Sequence, residues 1–278
     1  MKYLKVVLVV ILALGLSACG KKEVKNDNTD GKEKIVLGIC AGPYGDLFKQ
    51  AIAPELEKKG YDEVKYVEFS DYVQPNLALA DNETNVNLFQ HSFYLKNFNK
   101  EHNLKLSPVV EVPTASMGVF SESVKDLSKL KEGAKIAIPN DETNLARALR
   151  VLQQAKVIEL DASVDASKAQ VKDIASNPKN VTFEEVSAEI LPTVLDSTDA
   201  AVINGNYAIS AGLNLGDAIY VEELSEGYFN VIAVRTEDLD KTWVKDIKNI
   251  VHSDAFRKVV EDKDNIFYSF QKPKDYDK

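Results

Sequence analysis

Short apolar runs alternate with amphipathic stretches from Ile35 to Asn204, and this alternation limits the fold more than any other feature of the chain. Ile35-Val36-Leu37-Gly38-Ile39 reads as a buried strand, and Ala41-Gly42-Pro43-Tyr44-Gly45 as the turn after it. Across 46–59, Leu47, Ile52 and Leu56 recur at helical spacing, and Gly60 ends the run. Residues 64–69 form a second strand. Ser70-Asp71 can cap the following helix, with Pro75 in its first turn. A third strand covers 86–89 and a helix 92–101. The pattern returns as a strand at 135–139, a helix at 143–155, a strand at 181–186, a helix at 188–195 and a strand at 200–204. Such alternation predicts an α/β fold with helices on sheet faces. Two similar units in a chain of this length predict two lobes. Residues 109–120 and 219–235 read as extended crossover segments between them. Residues 243–260 read as one amphipathic helix, and the stretch from Phe267 onward as a surface wrap.

The N-terminus is a different kind of segment. Lys2 and Lys5 precede an apolar run from Val6, and Leu16-Ser17-Ala18-Cys19-Gly20 closes it. A basic start, a short apolar stretch and small residues before a cleavage point make a secretory signal. The run is shorter than the ~20 apolar residues that span a bilayer. Leu three places before a cysteine resembles the bacterial lipobox, which implies that residues 1–18 are removed and Cys19 is lipidated. Residues 19–34 are polar and charged without apolar periodicity, and read as a flexible tether. The expected location is the extracytoplasmic face of the cell membrane, held by the lipid anchor.

Net charge is -9, and loss of Lys2 and Lys5 makes it more negative. That argues against nucleic acid, whose phosphates favour basic faces. Acylation of Cys19 leaves Cys40 as the only thiol, so no intramolecular disulfide is expected and a packed core must stabilise the chain. His91, His102 and His252 are dispersed, whereas a zinc site gathers about three or four ligands. No nucleophile elbow, phosphate loop or metalloprotease helix occurs. The chain is therefore expected to be neither an enzyme nor dependent on a cofactor or metal.

Four blocks carry a family resemblance. They are Phe69-Ser70-Asp71-Tyr72-Val73-Gln74-Pro75-Asn76-Leu77-Ala78-Leu79-Ala80, Asn87-Leu88-Phe89-Gln90-His91-Ser92-Phe93-Tyr94-Leu95, Ile136-Ala137-Ile138-Pro139-Asn140-Asp141 and Ala201-Val202-Ile203-Asn204-Gly205-Asn206-Tyr207-Ala208. In order, and behind a lipobox, they resemble the methionine-binding lipoproteins of ABC importers, the MetQ/NlpA type. The resemblance implies a two-lobe, periplasmic-binding-protein-like fold (type II, Venus flytrap) with a hinged central cleft. Lobe 1 is then 35–115 plus 226–278, and lobe 2 is 116–225. It implies binding of L-methionine, with D-methionine and methionine peptides as related ligands, and delivery to a permease with a cytosolic ATPase by a monomeric carrier. Another small amino acid or a Met-containing dipeptide is the nearest alternative. A surface adhesin or scaffold lipoprotein is the alternative from another class.

A free amino acid presents a carboxylate, which an arginine fork suits. The family places such an arginine at the position of Arg147, which implies that Arg147 holds the ligand's carboxylate. Tyr72, Phe89, His91 and Tyr94 match positions that enclose the methionine side chain, and thioether–aromatic contacts contribute about 0.3–1.5 kcal/mol each. Asn204 and Asn230 match asparagines that meet the amino-acid moiety. Asn206 has a weaker claim, Asn144 reads as part of the helix-start loop, and Arg150 as a surface residue. Ser92-Phe93 stands where many relatives carry a small polar residue and proline, so Phe93 is expected at the pocket rim.

Overall fold

The computed structural model describes residues 34–277. The signal, Cys19 and nearly all of the tether lie outside the described residues. Two five-stranded mixed sheets organise the rest, each with helices against it. The first contains β1 (Val36–Cys40), β2 (Lys65–Phe69), β3 (Val86–His91) and β4 (Leu106–Glu111). Its helices are α1 (Tyr44–Ala51), α2 (Ala53–Lys58), α3 (Gln74–Ala80) and α4 (Ser92–His102). The second sheet contains β5 (Gly118–Phe120) and β6 (Lys135–Pro139), followed by helix α5 (Glu142–Gln154). A small antiparallel pair, β7 (Glu159–Leu160) and β8 (Ile174–Ser176), branches off before β9 (Thr182–Val186). Then come β10 (Ala200–Ile203), α6 (Gly205–Ser210) and β11 (Tyr220–Val221). The chain returns to the first sheet with β12 (Asn230–Arg235), and ends in α7 (Thr242–Val251), α8 (Asp254–Val260) and a tail.

In the first sheet the order is β2-β1-β3-β12-β4. β1 runs parallel to β2 and β3, while β12 is antiparallel to both β3 and β4. The second sheet has the order β11-β5-β10-β6-β9, with β6 parallel to β9 and β10. β3, β10 and β12 are buried at every residue, as strands covered on both faces are. One core joins Leu37, Leu56, Leu88, Ile232, Trp243 and Phe256; another joins Val119, Ile136, Ile138, Leu149 and Val202. Each half thus buries its own apolar surface, which is the two-lobe arrangement.

Several expected elements break, each at a residue that explains it. The helix expected over 46–59 divides at Ile52, because Pro54 occupies the first turn of α2 and has no N–H for a longer helix. Residues 188–195 lie in a 3-10 segment, Ala188–Ser197, with Pro192 inside it. The helix expected over 243–260 stops at Val251, and Ser253 caps α8 by accepting from the Phe256 N–H. The segment 219–235 is more than a connection: its last third is β12, a central strand of the first sheet.

Candidate functional site

The carboxyl ends of β1, β2 and β3 face the start of α5 and α6, and a small cavity lies between them. All seven residues expected at a ligand site line it: Tyr72, Phe89, His91, Tyr94, Arg147, Asn204 and Asn230. The first four and Asn230 come from the first sheet's half, and Arg147 and Asn204 from the second.

β3 runs on to His91, so Phe89 and His91 share one face as period-two alternation requires. His91 is also the N-cap of α4, accepting the Tyr94 N–H at Nδ1 (3.1 Å). The proton is thereby assigned to Nε2, which points to Asn144 Oδ1 at 3.3 Å. Burial, reinforced by the Arg147 charge, holds the His91 pKa well below the ordinary 6.5. The ring is neutral at physiological pH.

Tyr72 is the centre of the aromatic wall. Its ring lies 5.7 Å from Phe89, 5.8 Å from Tyr94 and 4.9 Å from Tyr207, so it touches rings of both halves. Its hydroxyl donates to Asn206 Oδ1 (2.7 Å), and Asn206 Nδ2 donates to the Ala41 carbonyl (3.0 Å). Tyr207 reaches Ser70 O (3.2 Å) in the same direction. With His91–Asn144, these contacts bridge the halves, and the cleft is closed.

Arg147 projects from the second turn of α5, which Asp141 caps by accepting the Asn144 N–H. Its guanidinium is not free. Nε donates to both Glu222 oxygens (2.9 and 3.1 Å), and Nη2 to Oε2 (2.7 Å), both residues being 4% exposed. Burial alone would lower the arginine's pKa, but Glu222's charge and hydrogen bonds outweigh it, and the guanidinium stays charged. Nη1 makes no protein hydrogen bond among the described residues. Asn204 donates from Nδ2 to Asn144 Oδ1 (2.9 Å), while its Oδ1 is buried without a partner. Asn230 donates from Nδ2 to Phe89 O (3.0 Å) and from its N–H to Thr114 Oγ1 (2.8 Å), which fixes it at the β3–β12 junction.

Sequence reasoning missed three parts of the site. Asn144 belongs to α5 and to the cavity wall, where its amide joins His91, Asn204 and Asp141. Glu222 lies far along the chain in a segment with no motif of its own. Asn76, Asn87 and Gln90 form a buried amide network (2.7–3.1 Å) that positions Gln90 in the wall. Two further residues differ from their expected surroundings. Phe93 is outside the cavity wall: it packs on Gly227 and edge-on against Tyr228, 5.0 Å away. Arg150 donates to Ser225 Oγ (2.8 Å) and stacks over the Tyr228 ring, 5.0 Å from its centroid.

A nutrient-binding protein of Burkholderia cenocepacia, solved bound to methionine, is 40% identical, with a TM-score of 0.77 over 82% of this chain and 95% of that one. An ABC transporter periplasmic substrate-binding protein of Coxiella burnetii is 38% identical, with a TM-score of 0.76 over 82% of this chain and 95% of its own. The methionine-binding lipoprotein MetQ of Bacillus subtilis is 36% identical over 261 residues, 92% of this chain and 93% of the relative. The NlpA lipoprotein family matches residues 35–269, and the chain belongs to that family.

Proposed function

We propose that this protein is the substrate-binding lipoprotein of an ABC importer and carries methionine in the closed cleft. The observation that supports this most is a ring-lined cavity that also holds one arginine and one unpartnered buried amide oxygen, in a chain 40% identical to a methionine-bound protein. Arg147 takes the ligand's carboxylate. Asn204 Oδ1 accepts from its ammonium, with Asn230 alongside. Tyr72, Phe89, Tyr94 and His91 surround the thioether, whose sulfur gains from ring contacts.

Function is binding without bond chemistry. Ligand favours the closed form over the open one, and that population difference is what a membrane permease with a cytosolic ATPase reads. We place the lobes at 35–115 plus 226–278 and at 116–225, a division supported by the allocation of strands to the two sheets. No helix among the described residues is long and apolar enough to cross a membrane. Attachment is assigned to lipid on Cys19, and the carrier acts as a monomer outside the cytoplasm.

The test is calorimetry and thermal shift with the twenty amino acids, D-methionine and methionine dipeptides, beside native mass spectrometry of freshly purified protein. Methionine should give the largest stabilisation. A larger shift with another amino acid or a dipeptide would reassign the ligand, and no shift with any would reject the transport reading.

A further inference from the structure

Glu222 stands behind the cavity, not in its wall. Its carboxylate accepts from Arg147 and from the Met117 N–H (2.9 Å). Its backbone is fixed as well: its N–H donates to Met117 O (3.0 Å), and its carbonyl accepts from Gln271 Nε2 (2.6 Å). The carboxylate is therefore placed by the entry to β5 and by the C-terminal tail, independently of the arginine. A guanidinium has a fixed planar set of N–H donors. Glu222 consumes the Nε side. What remains for the cavity is the opposite edge, Nη1 with the second hydrogen of Nη2, which a carboxylate meets end-on.

The charge balance matters as much as the direction. Among the described residues of the cavity wall, Arg147 alone is charged at neutral pH. Tyr44, Tyr72 and Tyr94 are held neutral by burial, and His91 is neutral. Beyond the wall, Arg150 and the α5 cap Asp141 are opposite in sign. A lone buried arginine favours any anion. An arginine already cancelled at 2.7 Å offers hydrogen bonds without surplus charge, and so favours a carboxylate that brings its own cation. The buried, unpartnered Asn204 Oδ1 is an acceptor for that cation.

We propose that Glu222 is a positioning residue that presents Arg147 edge-on to the ligand and, by cancelling its charge, makes the cavity select net-neutral amino-acid zwitterions over carboxylates without an ammonium. This rests on the methionine reading of the cleft and adds the basis of its selectivity.

The experiment titrates wild type, Glu222→Gln and Glu222→Asp with methionine and with desamino-methionine, which keeps the carboxylate and thioether but lacks the ammonium. Wild type should prefer methionine. In Glu222→Gln that preference should narrow by about tenfold or more, because the arginine's charge is no longer cancelled. An unchanged ratio of affinities overturns the role in selection. Glu222→Asp keeps the charge but withdraws it from the guanidinium, so it should retain the preference while binding methionine several-fold more weakly. Methionine affinity equal to wild type in that variant overturns the positioning role, and this arm stands even if the Gln variant does not fold. Wild-type protein that binds neither ligand overturns the methionine cleft itself, and this inference with it.

Discussion

The hydroxyl of Tyr72 donates to Asn206 Oδ1 at 2.7 Å, joining the loop after β2 to the first turn of α6. The bond exists only when the halves meet. Tyr72→Phe keeps the ring and removes this latch, leaving Asn206 Oδ1 without its donor. One such bond contributes about 0.5–1.5 kcal/mol, so methionine affinity should fall about two- to tenfold, mainly through faster release. Stopped-flow fluorescence measures both rates; an unchanged release rate would contradict the latch.

Arg147→Ala should do two separable things. It removes the carboxylate's partner, and it leaves Glu222 buried and uncompensated, which typically costs about 3–5 kcal/mol of stability. The useful readout is therefore the methionine-induced rise in Tm, which should vanish. The double variant Arg147→Met/Glu222→Leu should recover the basal Tm and still not bind. Binding by the double variant would remove the arginine from the site.

Gly42 has φ 125°, and a Cβ there would meet Asn206 O at 2.7 Å, across the cleft. Gly42→Ala should hold the halves apart as well as strain the turn. Methionine affinity should fall about a hundredfold or more, and small-angle scattering should show no contraction on adding ligand. Contraction like that of wild type would mean the turn moves aside.

His91 gives the pH dependence. Its pKa is lowered in the folded chain relative to the ordinary 6.5, so the unfolded chain takes up the proton first. Stability should be flat with respect to this group above pH 6.5 and should be lost as pH falls below that value toward the folded pKa. Protonation also removes the Nδ1 acceptor that caps α4. His91→Asn preserves a capping side chain and should flatten the acid limb of a Tm–pH curve. A limb of equal steepness in the variant would assign the acid sensitivity to other groups.

How much of this was legible in the sequence depends on how local each signal is. The strands around the cleft and α5 follow from apolar period, which acts over a few residues. Five of the seven expected residues, Tyr72, Phe89, His91, Tyr94 and Asn204, fall within contiguous blocks of family-like sequence; Arg147 and Asn230 lie outside those blocks, and the cavity wall gathers all seven. Glu222 was not legible, since its meaning comes from a partner 75 positions away. Asn144 was misjudged for a related reason. A polar residue near a helix start usually serves the cap, and here the cap is Asp141 while Asn144 turns inward to His91 and Asn204. Helix breaks at Pro54 and Pro192 were readable and were outweighed by apolar spacing.

β12 enters the middle of the first sheet, hydrogen-bonded to β3 on one side and β4 on the other. Its first residue, Asn230, pairs with His91. The N-terminal third of the polypeptide therefore cannot finish its own sheet, and β4 has no place to attach until the late strand arrives. Such distant pairings make assembly slow, because a long loop must close before any contact rewards it. A nascent copy that has emerged only as far as α6 remains an incomplete, unlatched chain, so compaction comes near the end of synthesis.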